Sequence, residues 1–152
     1  MSAAYDCLSA HFSSRDMQFQ AVPEKNLVIA GFGGQHFRFT TFAQLTDDEN
    51  LLQVFSYPGV VVPAGARKMI ADLVARANYG IKVGKFELDM NDGELRYHAC
   101  TVIANQSLSD AAIGILIGAS LHALERYMPA VLSCIYGNED PAQAYQSVAH
   151  EH

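Results

Sequence analysis

The chain has 152 residues, of which half are hydrophobic and one tenth aromatic, so it can form one core without metals or disulfides. Its 10 basic and 16 acidic residues give a formal net charge of −6, and a chain of that sign repels a phosphate backbone. Basic residues are concentrated only between Arg67 and Lys85, and acidic residues follow from Glu87 onwards. We therefore expect no nucleic-acid partner.

The cysteines and the apolar segments indicate where the protein resides. Cys7, Cys100 and Cys134 are odd in number and far apart, and the first residues lack the basic-then-apolar pattern of a secretion signal. The longest apolar stretch without Asp, Glu, Lys or Arg, residues 111–124, is shorter than the ~20 residues that span a bilayer. We expect reduced thiols, a cytoplasmic location and no membrane partner.

The first half of the chain is predicted to form a helix and then strands. Apolar residues recur at helical spacing in residues 2–14, where Ser2 is a suitable N-cap. Alternating patterns then predict three strands, at residues 16–22, 27–32 and 36–42. Gly33-Gly34 is predicted to be a two-residue hairpin turn of positive φ. Residues 51–57 are either a further strand of the sheet or an extension of the third.

A helix and a β-hairpin are predicted next. Pro63 suits the first turn of a helix that ends at Gly80. Asp92-Gly93 suits a type I′ turn between strands at residues 85–91 and 94–103. This turn predicts cross-strand pairs of Met90 with Leu95, Leu88 with Tyr97, Phe86 with Ala99, Asp89 with Arg96 and Glu87 with His98.

The last predicted element is a long helix with one buried stripe. Either Ser107 or Ser109 can serve as its N-cap. Pro129 removes a backbone donor, so the helix is expected to kink or restart there and to continue to Gly137. Residues 138–152 show little apolar periodicity and are predicted to be a frayed tail.

These elements predict one domain, residues 1–137, of the α+β class. Their order is one helix, three or four strands, one helix, two strands and one helix. Helices that are separated from long β-hairpins favour a two-layer sandwich in which helices pack on an antiparallel sheet. A doubly wound parallel fold is not expected.

Two motifs superficially resemble sites of chemistry. Residues 31–34, Gly-Phe-Gly-Gly, follow an apolar strand, but a phosphate-binding loop must open a helix, and a strand is predicted after this one. Ser120 and His122 lie two residues apart on a predicted helix, so their side chains point in different directions. We expect no catalytic residues and no enzymatic activity.

Two sets of side chains are candidate metal ligands. Cys7 and His11 lie at i and i+4 on one helix face, and His98 and Cys100 share a strand face opposite Glu87. Neither set has the dense spacing of a structural zinc site, and the two would have to converge from separate elements. A small buried cysteine beside a hydrogen-bonded histidine is common, so we expect no metal and no cofactor.

Gly114 and Gly118 form a small-x-x-x-small pair on the last helix, which allows another backbone to approach closely. In a soluble protein this pair favours tight packing of the helix on the sheet. The functional alternative is a helix-to-helix contact between two copies of the chain.

The most specific sequence pattern lies between Leu51 and Gly137. It comprises residues 77–90 (ANYGIKVGKFELDM), 92–97 (DGELRY), 124–131 (LERYMPAV) and 135–137 (IYG). This pattern resembles the YbjN family, whose members are described as bacterial sensory-transduction regulators. Over the first fifty residues only the order of elements fits that family.

The resemblance has implications for fold and function. The family is similar in fold to type III secretion chaperones, an α-β(3)-α-β(2)-α two-layer sandwich whose members bind protein segments, often pair as dimers and are not known as enzymes. It transfers no catalytic or ligand residues. We therefore expect a non-enzymatic, cytoplasmic regulator or chaperone-like module that binds a segment of another protein and forms a homodimer.

A second hypothesis belongs to a different class of function. Under this hypothesis the chain is a small-molecule or metal sensor with a pocket between the helices and the sheet. Glu87, His98 and Cys100 are the candidate ligands of that pocket.

Overall fold

A computed structural model describes residues 2–104 and 107–149 of the chain. The elements in chain order are α1 (Ala3–Ser14), β1 (Phe19–Val22), β2 (Leu27–Gly33), β3 (Arg38–Thr46), β4 (Leu51–Tyr57), α2 (Arg67–Gly80), β5 (Lys85–Leu88), β6 (Leu95–Val102), α3 (Asp110–Gly137) and α4 (Pro141–Ala149). The strands form one sheet in the order β1-β2-β3-β4-β6-β5, and every neighbouring pair is antiparallel. The predicted α+β class with an antiparallel sheet is confirmed, with four strands before α2 where the resemblance implies three.

The helices cover one face of the sheet. Along β3 and β4 every second residue is buried, as the two-residue period of a strand requires. These buried side chains are Phe39, Thr41, Ala43, Leu45, Leu52, Val54 and Ser56. Helix α3 packs against β4 and β6, α2 against β5, and α1 against α3 and β1. The core therefore lies between the sheet and this helical layer, and no helix within the described residues lies on the other face of the sheet.

Helices α1 and α3 begin at predicted caps, the second at Ser109 and not at Ser107, whereas α2 begins at Arg67, four residues after Pro63. Ser2 Oγ accepts the N–H of Tyr5 at 3.0 Å, and Ser109 Oγ accepts the N–H of Ala112 at 3.0 Å. Helix α3 does not restart at Pro129 but runs through it to Gly137. No helix within residues 2–104 and 107–149 combines the length and apolarity needed to cross a bilayer.

The β2–β3 hairpin is present, but its predicted turn is wrong. Gly33 pairs with Arg38, so four residues form the turn where two were predicted. Neither Gly33 nor Gly34 has a positive φ. Glu125 on α3 accepts the N–H of His36 at 2.7 Å, which ties this longer turn to the helical layer. The first strand is also shorter than predicted and begins at Phe19.

The β5–β6 hairpin is confirmed, but its predicted register is wrong by two residues. Phe86 lies opposite Tyr97, where it was predicted opposite Ala99. Only Gly93 of the predicted turn has a positive φ, of 84°, whereas a type I′ turn needs two such residues. Because the shift is two residues, every side chain keeps its predicted face of the sheet.

A longer loop replaces the predicted two-residue turn at this hairpin. Residues 89–94 close it through the N–H of Gly93, which donates to the carbonyl of Asp89 at 2.8 Å. The carboxylate of Asp92 accepts the N–H of Glu94 at 2.9 Å. The Gly93 carbonyl in turn accepts the N–H of Val62 at 2.8 Å, which docks the loop onto the β4–α2 connection.

The predicted frayed tail is wrong for residues 138–149, because α4 packs against α2 and α3. Ala144 is fully buried, and the ring of Tyr145 stacks on Tyr127 with a centroid distance of 6.3 Å. Arg126 donates hydrogen bonds to the carbonyls of Val148 and Ala149 at 3.0 and 2.8 Å. The remaining residues of the predicted tail, 150–152, lie outside the described residues.

Candidate binding face of the sheet

The sheet face without helices, here called the open face, carries a row of aromatic side chains. Strand pairing places Ile29 opposite Phe42, Phe42 opposite Phe55, and Phe55 opposite His98. All four side chains are half-buried although no helix in the described part of the chain covers them. Apolar residues on both faces of a strand are typical of a sheet that is covered on both sides, so this row is suited to contact with another molecule.

The open face contains a shallow groove, here called the aromatic groove. It is lined by Leu27, Phe42, Gln44, Phe55, Tyr57, Glu94 and Arg96. Its volume is about 450 Å³. The rings of Phe42 and Tyr57 meet edge to face at 5.5 Å, an arrangement that fixes their orientation at the floor of the groove.

Arg96 forms one wall of the aromatic groove and is held there by three neighbours. Its Nε donates to Glu87 Oε1 at 2.7 Å, and one of its terminal nitrogens donates to the Tyr57 hydroxyl at 3.3 Å. The guanidinium carbon lies 4.4 Å from the centre of the Phe55 ring, within range of a cation–π interaction. Burial alone raises the pKa of Glu87, but the hydrogen bonds from Arg96 and Lys85 outweigh it and hold that pKa below its ordinary value.

His98 also contacts the Phe55 ring. The two rings stack with centroids 4.4 Å apart and planes 14° from parallel. Burial lowers the pKa of His98 more than the charge of Glu87, 3.5 Å from its Nδ1, raises it. The lowered pKa favours the neutral imidazole, which presents its ring face to Phe55.

The two sets of possible metal ligands do not converge. Glu87, His98 and Cys100 lie on the open face, whereas Cys7 and His11 lie on α1 on the other side of the sheet. Within the described residues no group of three His, Cys, Asp or Glu side chains is arranged to hold a metal ion. The pocket that the sensor hypothesis places between helices and sheet therefore cannot use Glu87, His98 and Cys100.

Cys7 and His11 have structural partners instead. Cys7 Sγ donates to the carbonyl of Leu108 at 3.3 Å, and His11 Nδ1 lies 2.8 Å from Asp110 Oδ1. Arg15 donates to both oxygens of Asp110, at 2.9 and 2.5 Å. This set of contacts joins α1 to the first turn of α3.

The remaining sequence motifs have structural roles. Ser120 is buried and its hydroxyl donates to the Leu116 carbonyl of the same helix at 2.7 Å. The predicted packing of the glycine pair on the sheet is wrong, because Gly114 faces the His11 ring and Gly118 has open space beside it. Residues 31–34 lie in the β2–β3 hairpin, as expected.

The sequence did not predict the aromatic groove. Its signal was the apolar character of positions 42, 55 and 57, which alternate with the buried positions of β3 and β4. That alternation alone gives two apolar strand faces. It does not tell which face the helices cover.

The fold and its open face define a class, the two-layer α+β sandwiches with one uncovered sheet face. Within that class the chain belongs to the YbjN family: the family model described as "Putative bacterial sensory transduction regulator" matches residues 4–133. The predicted family resemblance is thus confirmed. No curated protein sequence matches the chain.

Two solved structures are similar to this chain. The crystal structure of YbjN from E. coli has a TM-score of 0.58 and 14% identity, and the match covers 97% of this chain and 92% of that one. The HopA1–SchA chaperone–effector complex has a TM-score of 0.54 and 15% identity, and the match covers 82% of this chain and 94% of that one. At these identities the likeness establishes a shared fold, which includes the predicted chaperone-like fold.

Proposed function

We propose that this protein is a non-enzymatic, cytoplasmic protein-binding module of a regulatory or chaperone-like kind. Its open face holds a segment of another protein. The observation that carries the proposal is the aromatic groove, in which Phe42, Phe55 and Tyr57 stand half-buried on a face that no helix covers. The HopA1–SchA structure supports the proposal, because it is a chaperone–effector complex of similar fold.

The physical argument rests on what rigid aromatic side chains contribute at interfaces. They bury a large area and lose little conformational entropy, and a few of them account for most of the binding energy in many complexes. The rings of Phe42 and Phe55 project from strands in the middle of the sheet, so the backbone beneath them is fixed on both sides. The groove is therefore preorganised for a partner.

The groove can be tested by affinity capture from a bacterial lysate with a matched pair of variants. Phe42→Thr removes a ring from the groove and keeps a β-branched residue in the strand. Tyr136→Thr is the control, because Tyr136 is 81% exposed at the end of α3 and lies outside the groove. We expect the wild type and Tyr136→Thr to retain a discrete polypeptide that Phe42→Thr loses, with circular dichroism showing that all three are folded.

Equal retention by all three proteins would contradict the proposed binding face. Failure of the wild type to retain any polypeptide above background would contradict the proposed function itself.

We also propose a homodimer, which contacts through the helical layer. Tyr79 on α2 is 96% exposed and borders a concavity of about 530 Å³ with Arg76 and Tyr145. Tyrosine and arginine are enriched where proteins meet. Light scattering should give twice the chain mass for the wild type and a lower mass for Tyr79→Thr. A wild type of single-chain mass at micromolar concentration would contradict the dimer.

A further inference from the structure

One end of the aromatic groove is acidic. A second, smaller concavity of about 220 Å³ adjoins it and is lined by Glu87, Leu88, Asp89, Glu94 and Arg96. Glu94 and Arg96 line both concavities, so the two form one continuous surface. We call the three carboxylates of this surface, Glu87, Asp89 and Glu94, the acidic rim.

The basic residues of this region do not neutralise the acidic rim. Lys85 and Arg96 are paired with Glu87, at 3.3 and 2.7 Å. Arg67 lies against the same loop, but it donates to the backbone carbonyls of Val62 and Asn91, both at 3.1 Å, and not to a carboxylate of the rim. Within the described residues, the carboxylate of Asp89 accepts only the backbone N–H of Asn91, and the exposed carboxylate of Glu94 has no hydrogen bond or ion pair. The rim therefore keeps negative charge directly beside the apolar floor of the groove.

We propose that the occupant of the open face is a basic amphipathic segment of another protein. Its apolar side chains pack against Phe42 and Tyr57, and a lysine or arginine lies beside Glu94 and Asp89. Charge complementarity of this kind fixes the orientation of a bound segment and discriminates against acidic ones. The inference rests on the proposed function and adds the chemistry of the partner to it.

The net charge of −6 acts in the same direction at longer range. A negative chain attracts a basic segment before contact and repels acidic ones, and this attraction weakens as salt screens it. Attraction by the net charge has no preferred site, whereas the acidic rim predicts that binding depends on particular carboxylates. The test must therefore separate local charge from net charge.

A phage-displayed library of random peptides of about 15 residues supplies the probe. We expect selection on the immobilised full-length chain to recover peptides with apolar residues and a net positive charge. A recovered peptide should bind Glu94→Lys about tenfold more weakly than the wild type. Asp6→Lys makes the same change of net charge on α1, away from the groove, and should bind like the wild type.

Phe42→Thr separates failure of this inference from failure of the proposed function. Two outcomes overturn the preference for basic segments and leave the binding face intact. In the first, the peptides need Phe42 but are acidic or uncharged. In the second, they need Phe42 but bind the wild type and Glu94→Lys equally. Peptides that bind Phe42→Thr as well as the wild type overturn both, as does the recovery of no binding peptide. Equal weakening by Glu94→Lys and Asp6→Lys assigns the preference to net charge and overturns the role of the rim.

Discussion

At the scale of single residues, Asp110 shows how one carboxylate joins two helices. It accepts hydrogen bonds from Arg15, the C-cap residue of α1, and contacts His11 on the same helix. The hydrogen bond from Arg15, followed by that from His11, lowers the pKa of Asp110 to about 2. A carboxylate whose pKa is depressed in the folded state stabilises the fold above its unfolded pKa, and this contribution is lost as the pH falls through the folded value.

The pH dependence of Asp110→Asn tests this contact. The variant should unfold at lower urea concentration than the wild type at pH 7, because asparagine carries no charge for Arg15. The difference should shrink as the pH falls from about 4 to 2, the window between the unfolded pKa and the folded one. Urea midpoints at several pH values measure it, with Asp6→Asn in the first turn of α1 as an exposed control. A difference in urea midpoint that stays constant with pH would contradict a stabilising role of the Asp110 charge.

At the scale of elements, Gly93 explains why the β5–β6 loop differs from its sequence prediction. Its φ of 84° is in the left-handed region, and a Cβ built there would lie 2.1 Å from the carbonyl oxygen of Val62. Glycine is therefore required both for the backbone conformation and for the docking of the loop on the β4–α2 connection.

Gly93→Ala should destabilise the protein more than Gly59→Ala. Gly59 also has a positive φ, of 77°, but a Cβ there meets nothing within 4 Å. Alanine at Gly59 should cost about 1–2 kcal/mol for the left-handed conformation alone. Alanine at Gly93 should cost more, because the Val62 carbonyl must also move. Urea denaturation of both variants measures the difference, and equal losses would show that the loop does not need its contact with Val62.

Helix α4 should contribute measurably to stability, although the sequence predicts a frayed tail there. Removing residues 139–152 uncovers the partners of Ala144 and Tyr145 and frees Arg126. We expect a loss of about 2 kcal/mol, or about 4–8 °C in thermal midpoint. Calorimetry of the shortened and full-length chains measures it. An unchanged thermal midpoint would instead support the prediction of a frayed tail.

The sequence predicts well what depends on neighbouring residues. Helices α1 and α3 and the faces of the strands follow from local periodicity, and the cap at Ser2 follows from its hydroxyl, whereas Ser107 and Ser109 are equal candidates for the cap of α3. The lengths of the hairpin loops do not follow from local patterns. They depend on hydrogen bonds to distant elements, such as those between Glu125 and His36 and between Gly93 and Val62. The short helix α4 was missed for the same reason, since its burial comes from α2 and α3.

At the scale of the whole molecule, the candidate site is a product of strand order. Phe55 on β4 meets Arg96 and His98 because β6 pairs with β4, although α2 and β5 separate these strands in sequence. The sequence predicts Glu87 and His98 as a pair across a hairpin and as possible ligands. It does not place them beside Phe42, Phe55 and Tyr57, because no local pattern specifies that crossover.

The central claim is that a partner segment lies on the open face, and site-specific photo-crosslinking in bacterial cells tests it most directly. A photoreactive amino acid replaces either Thr40, exposed beside Tyr57 on the open face, or Ala75, exposed on α2 in the helical layer. We predict a discrete crosslinked species of higher mass from position 40, which Phe42→Thr abolishes. Position 75 should give a different set of crosslinked species. Crosslinking of a partner polypeptide at position 75 and none at position 40 would contradict the account.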